Sequence, residues 1–277
     1  MRWTSIENLG GIAVVTGGAS GVGLAAAKHL ASCGFEICLT DVNEDALGSA
    51  AEDLRGSGAA VHEVCVDVAD SAAMTALADQ VFAKGEVAVL MNNAGVGLAS
   101  STLENIDVWR KTFDVNFYGV LNGIQAFVPK MVEAGRPAAI INTGSKQGIT
   151  TPPGNPAYNA SKAALKVLTE QLAHELRENS APLDVHLFVP GFTYTGMISS
   201  FIPEKPEGAW TSEETVAYLF EKVAAGSFYV LCPDNMVDEQ TDAARVLWSA
   251  NDIVRDRPAL SRWHPDWQDA FSSYEKS

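Results

Sequence analysis

The sequence predicts a doubly wound α/β fold: a mostly parallel seven-stranded sheet with helices on both faces. Three observations carry that expectation. Apolar runs of strand length alternate with longer segments of helical periodicity, uninterrupted by repeats or low-complexity stretches. Most of the runs are continuously apolar, the pattern of strands covered on both faces. A glycine-rich turn, TGGASGVG, ends the first run and opens the first helix.

Taken in order, the strands are expected at IAVVT (Ile12–Thr16), EICLT (Glu36–Thr40), VHEVCV (Val61–Val66), VAVLMN (Val87–Asn92), AAIINT (Ala138–Thr143), DVHLFV (Asp184–Val189) and FYVLC (Phe228–Cys232). Helical periodicity fills the intervals at Gly21–Ser32, Glu44–Leu54, Ser71–Phe82, Ile106–Glu133, Tyr158–Glu178 and Ser212–Ala225. In such a sheet, ligands gather beyond the carboxyl ends of the strands, where strand order reverses. Two long non-helical stretches, 144–157 and 190–211, follow strands at that edge and have the length of lids or binding walls.

Bulk properties narrow the function. A chain of 277 residues is of a size to form one domain with a sizeable core. Lys and Arg number 19 against 34 Asp and Glu, and the net charge of -15 argues against nucleic acid or an anionic membrane surface as partner. Cys33, Cys38, Cys65 and Cys232 show no CxxC spacing, which suits reduced thiols in the cytoplasm and gives no sign of zinc or disulfides. The five histidines lack metal-ligand spacing, so no metal is expected. The start, MRWTSIENLGG, has neither the basic opening nor the apolar core of a signal peptide, and no apolar run is long enough to span a bilayer.

Chemistry is concentrated after the strands. In TGGASGVG, Gly17, Gly21 and Gly23, with Ser20 and Val22, let the backbone approach a pyrophosphate while the helix N-terminus offers unpaired N–H groups. Asp41 follows the second strand, where a carboxylate accepts ribose hydroxyls and repels a 2′-phosphate; Ser20 adds no cation. NAD is therefore the expected cofactor. In AYNASKAALK, Tyr158 and Lys162 stand at i and i+4 on one helix face, where an ammonium favours the phenolate and lowers the phenol pKa.

From Gly10 to Cys232 the chain resembles the short-chain dehydrogenase/reductase family, shorter single-domain type, on the motifs TGxxxGxG, NNAG and YxxxK. The resemblance implies a Rossmann-like fold, with residues 1–277 as one dinucleotide-binding and catalytic domain. It places Asp67 and Val68 at the adenine and NNAG (Asn92, Asn93, Ala94, Gly95) along the cofactor cleft. It gives Asn116 a water in a proton relay, Ser145 the substrate oxygen, Tyr158 the proton, and Lys162 the nicotinamide ribose. Pro190, Gly191, Thr193 and Thr195 would grip the carboxamide. Two departures stand out: Thr193 replaces a β-branched apolar residue, and Lys146 follows the serine where a small or hydroxylated residue is usual. The Lys146 ammonium is expected in solvent, with the pocket mouth as the alternative.

The implied activity is hydride transfer between NAD and an apolar or aromatic secondary alcohol or ketone. Walls are expected from Val96–Leu98, Gln147–Asn155, Phe192–Tyr194 and Met197–Trp210, including Ile198, Phe201 and Ile202; the competing expectation is that these apolar residues pack the lid on its own helix. Trp263, Trp267 and Phe271 in the tail, 257–277, are expected to dock on the domain or on a neighbouring subunit. The resemblance implies a homodimer or homotetramer joined through the two long helices. A non-catalytic NAD-binding regulator is the rival function, and an epimerase or dehydratase would want a larger substrate domain.

Overall fold

The structure is a computed structural model and describes residues 9–196 and 202–275. Seven strands form one sheet in the order β3-β2-β1-β4-β5-β6-β7, and every paired neighbour runs parallel. These are β1 (Ile12–Thr16), β2 (Glu36–Asp41), β3 (Val61–Cys65), β4 (Val87–Asn92), β5 (Ala138–Thr143), β6 (Leu183–Val189) and β7 (Tyr229–Leu231). Strand order reverses between β1 and β4, which opens a crevice at their carboxyl ends.

Alternation along β1 shows why helices must cover both faces. Ala13 and Val15 join a core with α1 (Gly21–Ser32), α2 (Glu44–Gly56) and α8 (Ser212–Ala224); Ile12 and Val14 join the opposite core with α3 (Ser71–Phe82), α5 (Gly119–Ala134) and α7 (Pro156–Glu178). A strand side chain points to alternate faces, so an all-apolar strand is stable only between two such layers. Leu30 and Phe127 are fully buried in these layers, each worth roughly 1.5–3 kcal/mol relative to exposure.

Helix starts follow their caps. The Asn43 side chain accepts from the Ala46 N–H at 3.1 Å, and Asp70 from those of Ala72 and Ala73. Thr211 and Glu214 form a capping box at α8.

Departures from expectation have identifiable causes. The single helix expected over 106–133 is α4 (Ile106–Phe113), a π-helical turn (Asp114–Tyr118) and α5, with Asn116 at the centre of the widened turn. Periodicity alone does not reveal such a turn, and π-turns cluster at functional sites. A helix that apolar periodicity did not predict, α9 (Glu239–Val254), follows β7. Its buried residues are Asp242 and Trp248, while Leu247, Ile253 and Val254 are exposed, so its stripe is disguised. Strand ends shift slightly: β3 stops at Cys65 and β7 spans only Tyr229–Leu231.

The aromatic tail docks on its own chain. Two 3₁₀ turns (Ser261–Trp263, Pro265–Trp267) and α10 (Gln268–Glu275) fold against α9, with Trp248 edge-on to Phe271 at 5.3 Å and to Trp267 at 6.3 Å. The Arg257 guanidinium lies 3.9 Å over the Trp248 ring, and the indole N–H donates to Ser261 Oγ at 2.8 Å. Trp263 instead packs under Arg262. Cys38 and Cys232 are buried, and burial pushes both thiols up to about 12. Among the described residues no helix is long and apolar enough to cross a membrane, and no acidic, His or Cys cluster could hold a metal.

Candidate active site

A cleft of about 300 Å³ opens at the carboxyl ends of β1, β4, β5 and β6. Of the residues singled out from sequence, Gly17, Ser20, Gly21, Val22, Asp41, Asn93, Ala94, Gly95, Tyr158, Lys162, Pro190 and Thr195 line it. Thr143, Gly144 and Gly196 also line it; Gly144 and Gly196 fall in the stretches 144–157 and 190–211 expected as lids or walls, whereas sequence reasoning missed Thr143.

The glycine turn is shaped by close approach. Gly17 has φ +63°, and a Cβ there would stand 2.8 Å from Ala94 Cα. Gly23 does not line the cleft but lies beneath it, where a Cβ would fall 2.1 Å from the Gly17 carbonyl oxygen. The helix α1 therefore sits hard against the turn, and no acid occupies its first turn to offset the positive end. Asp41 Oδ2 accepts from the Ala19 N–H at 3.2 Å and Oδ1 from the Asn43 N–H at 3.1 Å, fixing the carboxylate beside the turn.

The NNAG segment ties three strand ends together. Thr16 Oγ1 accepts from the N–H groups of Asn93 (2.9 Å) and Ala94 (3.1 Å). Asn93 Nδ2 donates to the Thr16 and Gly17 carbonyls, and Thr143 Oγ1 donates to Asn93 Oδ1 at 3.3 Å. Beneath it, Asn92 Nδ2 donates to Asn142 Oδ1 at 2.8 Å, one rung of the β4–β5 register. Asn116 is buried behind the cleft: its Oδ1 accepts from the Val96 N–H (2.8 Å), and its Nδ2 donates to the Val96 carbonyl (3.0 Å) and to Ser161 Oγ (3.2 Å). The π-turn residue thus pins the chain after NNAG to α7.

Tyr158 and Lys162 face the cleft together, the Lys162 Nζ lying 5.9 Å from the Tyr158 ring centroid and donating to the Thr143 carbonyl at 2.7 Å. Burial lowers the Lys162 pKa from 10.5 to about 8. The expected lowering of the Tyr158 pKa by Lys162 is not what the protein's own groups produce. Burial raises that phenol, and the Ser145 side chain pulls it partly back. The reason is solvent exclusion, which disfavours the phenolate more than the neighbouring groups favour it. The phenol is thus held protonated at neutral pH.

Other expectations separate. Asp67 and Val68 lie off the cleft lining; Asp67 Oδ1 accepts from the Ala69 N–H at 2.9 Å, and Val68 is buried where a Cβ on Gly119 would press against it. Thr193 is buried with its hydroxyl 2.9 Å from that of Thr215, so its side chain serves the stem of the lid. Gly191 packs below the lining, where a Cβ would stand 2.5 Å from the Pro233 carbonyl oxygen. The expectation of a solvent-facing Lys146 is overturned: its side chain is 20% exposed and its Nζ lies 2.6 Å from Asp242 Oδ2. The unforeseen α9 supplies that carboxylate and explains the error. In the expected walls, Trp210 stacks edge-on to Tyr218 and donates to Asn235 Oδ1, and Tyr194 donates to the Pro203 carbonyl, which is lid packing. Met197, Ile198 and Phe201 lie outside the described residues.

The residues present fit a dinucleotide: a turn that a Cβ would fill, an open helix N-terminus, a fixed carboxylate at the end of β2, and a buried ammonium deeper in the cleft. Comparison with known proteins agrees. A family model described as short chain dehydrogenase matches residues 11–206. The chain is 34% identical over 258 residues to 1-deoxy-11-beta-hydroxypentalenate dehydrogenase of Streptomyces exfoliatus, covering 91% of this chain and 93% of that one. A crystal structure of a short chain dehydrogenase/reductase from Burkholderia phymatum in complex with NAD matches with TM-score 0.82 and 33% identity, covering 91% of this chain and 96% of that one. A metagenomic short-chain oxidoreductase in complex with NADP matches with TM-score 0.66 and 27% identity, covering 80% and 96%.

Proposed function

Because the chain belongs to the short-chain dehydrogenase/reductase family, an oxidoreductase family that uses nicotinamide dinucleotides, we propose that it transfers a hydride between NAD and an apolar or aromatic secondary alcohol or its ketone. The observation that carries this reading is the convergence of Tyr158 and Lys162 on the cleft headed by the glycine turn.

Gly17, Ser20, Gly21 and Val22 would hold the pyrophosphate, Asp41 the adenosine ribose, Lys162 the nicotinamide ribose, and Pro190 and Thr195 the carboxamide side. When bound, the nicotinamide supplies the hydride acceptor or donor. In reduction, the Tyr158 hydroxyl gives its proton to the carbonyl oxygen; in oxidation its phenolate takes the alcohol proton. Ser145 holds the reacting oxygen, and Asn116 keeps Val96 and α7 in place behind it. Such acid–base help is worth roughly 10²- to 10⁴-fold. A phenol raised by burial suits donation at neutral pH, so oxidation should speed up as pH rises into the alkaline range.

NAD is preferred to NADP on the strength of Asp41, whose carboxylate would repel a 2′-phosphate. The half-buried Val96, Leu98, Ile149 and Phe192 support an apolar substrate. A relative named as the dehydrogenase of a hydroxylated acid supports an alcohol as the oxidised group. The chain is read as one catalytic domain working in the cytoplasm as a homodimer or homotetramer. Exposed Tyr118, Val132 and Val167 on the long helices support the assembly. The test is a panel of secondary alcohols with NAD or NADP at alkaline pH, followed by absorbance of the reduced cofactor. Turnover with NAD well above NADP is expected; equal use of both, or none, contradicts the reading.

A further inference from the structure

Lys146 directly follows Ser145 and stands at the N-terminal end of the short helix α6 (Gln147–Thr150), yet its ammonium faces neither the cleft nor solvent. It lies 2.6 Å from Asp242 Oδ2 and 3.5 Å from Asp234 Oδ2, and both carboxylate side chains are 6% exposed. Asp242 sits in the first turns of α9, and Asp234 in the connection after β7. Asp234 reaches further: its Oδ2 accepts from the Phe192 N–H at 3.2 Å and its Oδ1 from the Met236 N–H at 3.0 Å. Phe192 follows Pro190, which lines the cleft, and a Cβ on Gly191 between them would stand 2.5 Å from the Pro233 carbonyl oxygen, so the two backbones pack closely there. One ammonium therefore joins the segment carrying Ser145 to α9 through Asp242 and, through Asp234 in the connection after β7, to the segment carrying Pro190.

Stability does not explain why this tie is ionic. Replacing a buried ion pair with well-packed apolar groups is often neutral or stabilising, because desolvation offsets the Coulomb attraction. Burial does push the Asp242 carboxyl up, with Lys146 and Arg245 pulling it back and Asp234 pushing it further up. The Lys146–Asp242 contact is a close ion pair without hydrogen-bond geometry, so what it adds over an apolar contact is a strong attraction between two fixed buried points. Reacting groups are sensitive to placement: a misplacement of ~1 Å can cost ~10²-fold in rate.

We propose that Lys146, held by Asp234 and Asp242, is a positioning residue that sets Ser145 against the Tyr158 hydroxyl and keeps the Pro190–Phe192 segment in register with it. This rests on the assignment of Ser145 and Tyr158 as the reacting pair. The apolar Lys146→Met removes the tie, Lys146→Arg preserves it, and Asp242→Asn weakens it at nearly constant shape.

The full-length protein with each substitution is assayed with 1-phenylethanol and NAD. Folding is checked by thermal melting, and NADH affinity by fluorescence. Tyr158 ionisation is read from phenolate absorbance as the difference from a matched Tyr158→Phe protein. The expected result for Lys146→Met is a kcat lower by about 10- to 100-fold, NADH affinity unchanged, and a Tyr158 midpoint moved upward because Ser145 no longer assists. Lys146→Arg should recover most of the rate. An unchanged kcat and Tyr158 midpoint in a folded Lys146→Met protein, or no recovery by Lys146→Arg, overturns the proposal. Should Lys146→Met fail to fold, Asp242→Asn is held to the same outcomes. Should the unmodified protein oxidise no alcohol, the functional reading fails separately, and the Tyr158 midpoint alone decides the positioning role.

Discussion

On one side of the cleft, the NNAG segment is held to β1 and β5 by uncharged hydrogen bonds from Thr16, Asn93 and Thr143, each only a few residues from a strand end. On the other side, the segment after Ser145 is held by an ammonium and two carboxylates that arrive from far along the chain. The first arrangement contains no titratable group and relies on the register of parallel strands. The second relies on α9 docking correctly, which in turn depends on Trp248 and the aromatic tail. The proposed dinucleotide side is thus built into the sheet, whereas the proposed substrate side is assembled on it by later chain, and substitutions on the two sides should fail differently.

Filling the glycine cradle should have the largest effect. Gly23→Ala places a Cβ against backbone that cannot move aside, so a loss of about 3 kcal/mol or more in stability, together with loss of NADH binding, is expected in thermal unfolding and fluorescence titration. Full stability with normal NADH affinity would show that the turn is looser than its contacts imply.

Next comes Lys162, at the seam between the two sides. Its folded pKa, about 8 against 10.5, means that the buried ammonium opposes folding by roughly 3 kcal/mol at neutral pH. Between those pH values the unfolded chain binds more protons, so this penalty fades as pH rises from 8 to 10.5. Relative to Lys162→Met, the unmodified protein should therefore gain stability over that interval in paired denaturation curves. A constant difference would mean that the ammonium is better solvated than its burial indicates.

Thr16→Val tests the uncharged side alone. It leaves the Asn93 and Ala94 N–H groups without their acceptor, at about 1–3 kcal/mol, with no change in the loss between pH 6 and 9. A pH-dependent loss would show that charge acts there after all. The smallest effect belongs to Thr211→Ala, which removes the α8 capping box at the foot of the lid for about 1 kcal/mol and should leave NADH affinity unchanged.

The same division governs what could be read from the amino acids. Local signals served the dinucleotide side well: apolar runs gave the strands, Gly17, Gly21 and Asp41 fell on the cleft, and the helical spacing of Tyr158 and Lys162 put both there. Thr143 was overlooked because a threonine ending a strand carries no signal of its own. The substrate side was opaque where it depends on long-range pairing. A lone Lys146 looks like a surface residue until Asp242 is known to face it, and α9 shows no apolar stripe because its buried positions are an aspartate and a tryptophan. The sign of the Tyr158 shift was hidden too, since spacing reports the neighbouring cation but not how completely solvent is excluded.

The central claim is that Tyr158 moves the proton beside a bound dinucleotide. Tyr158→Phe, assayed for alcohol oxidation with NAD and for NADH affinity in the same preparation, tests it most directly. A fall in kcat of about 10²-fold or more with NADH affinity retained is the predicted result. A Phe variant that keeps most of its rate would contradict the account.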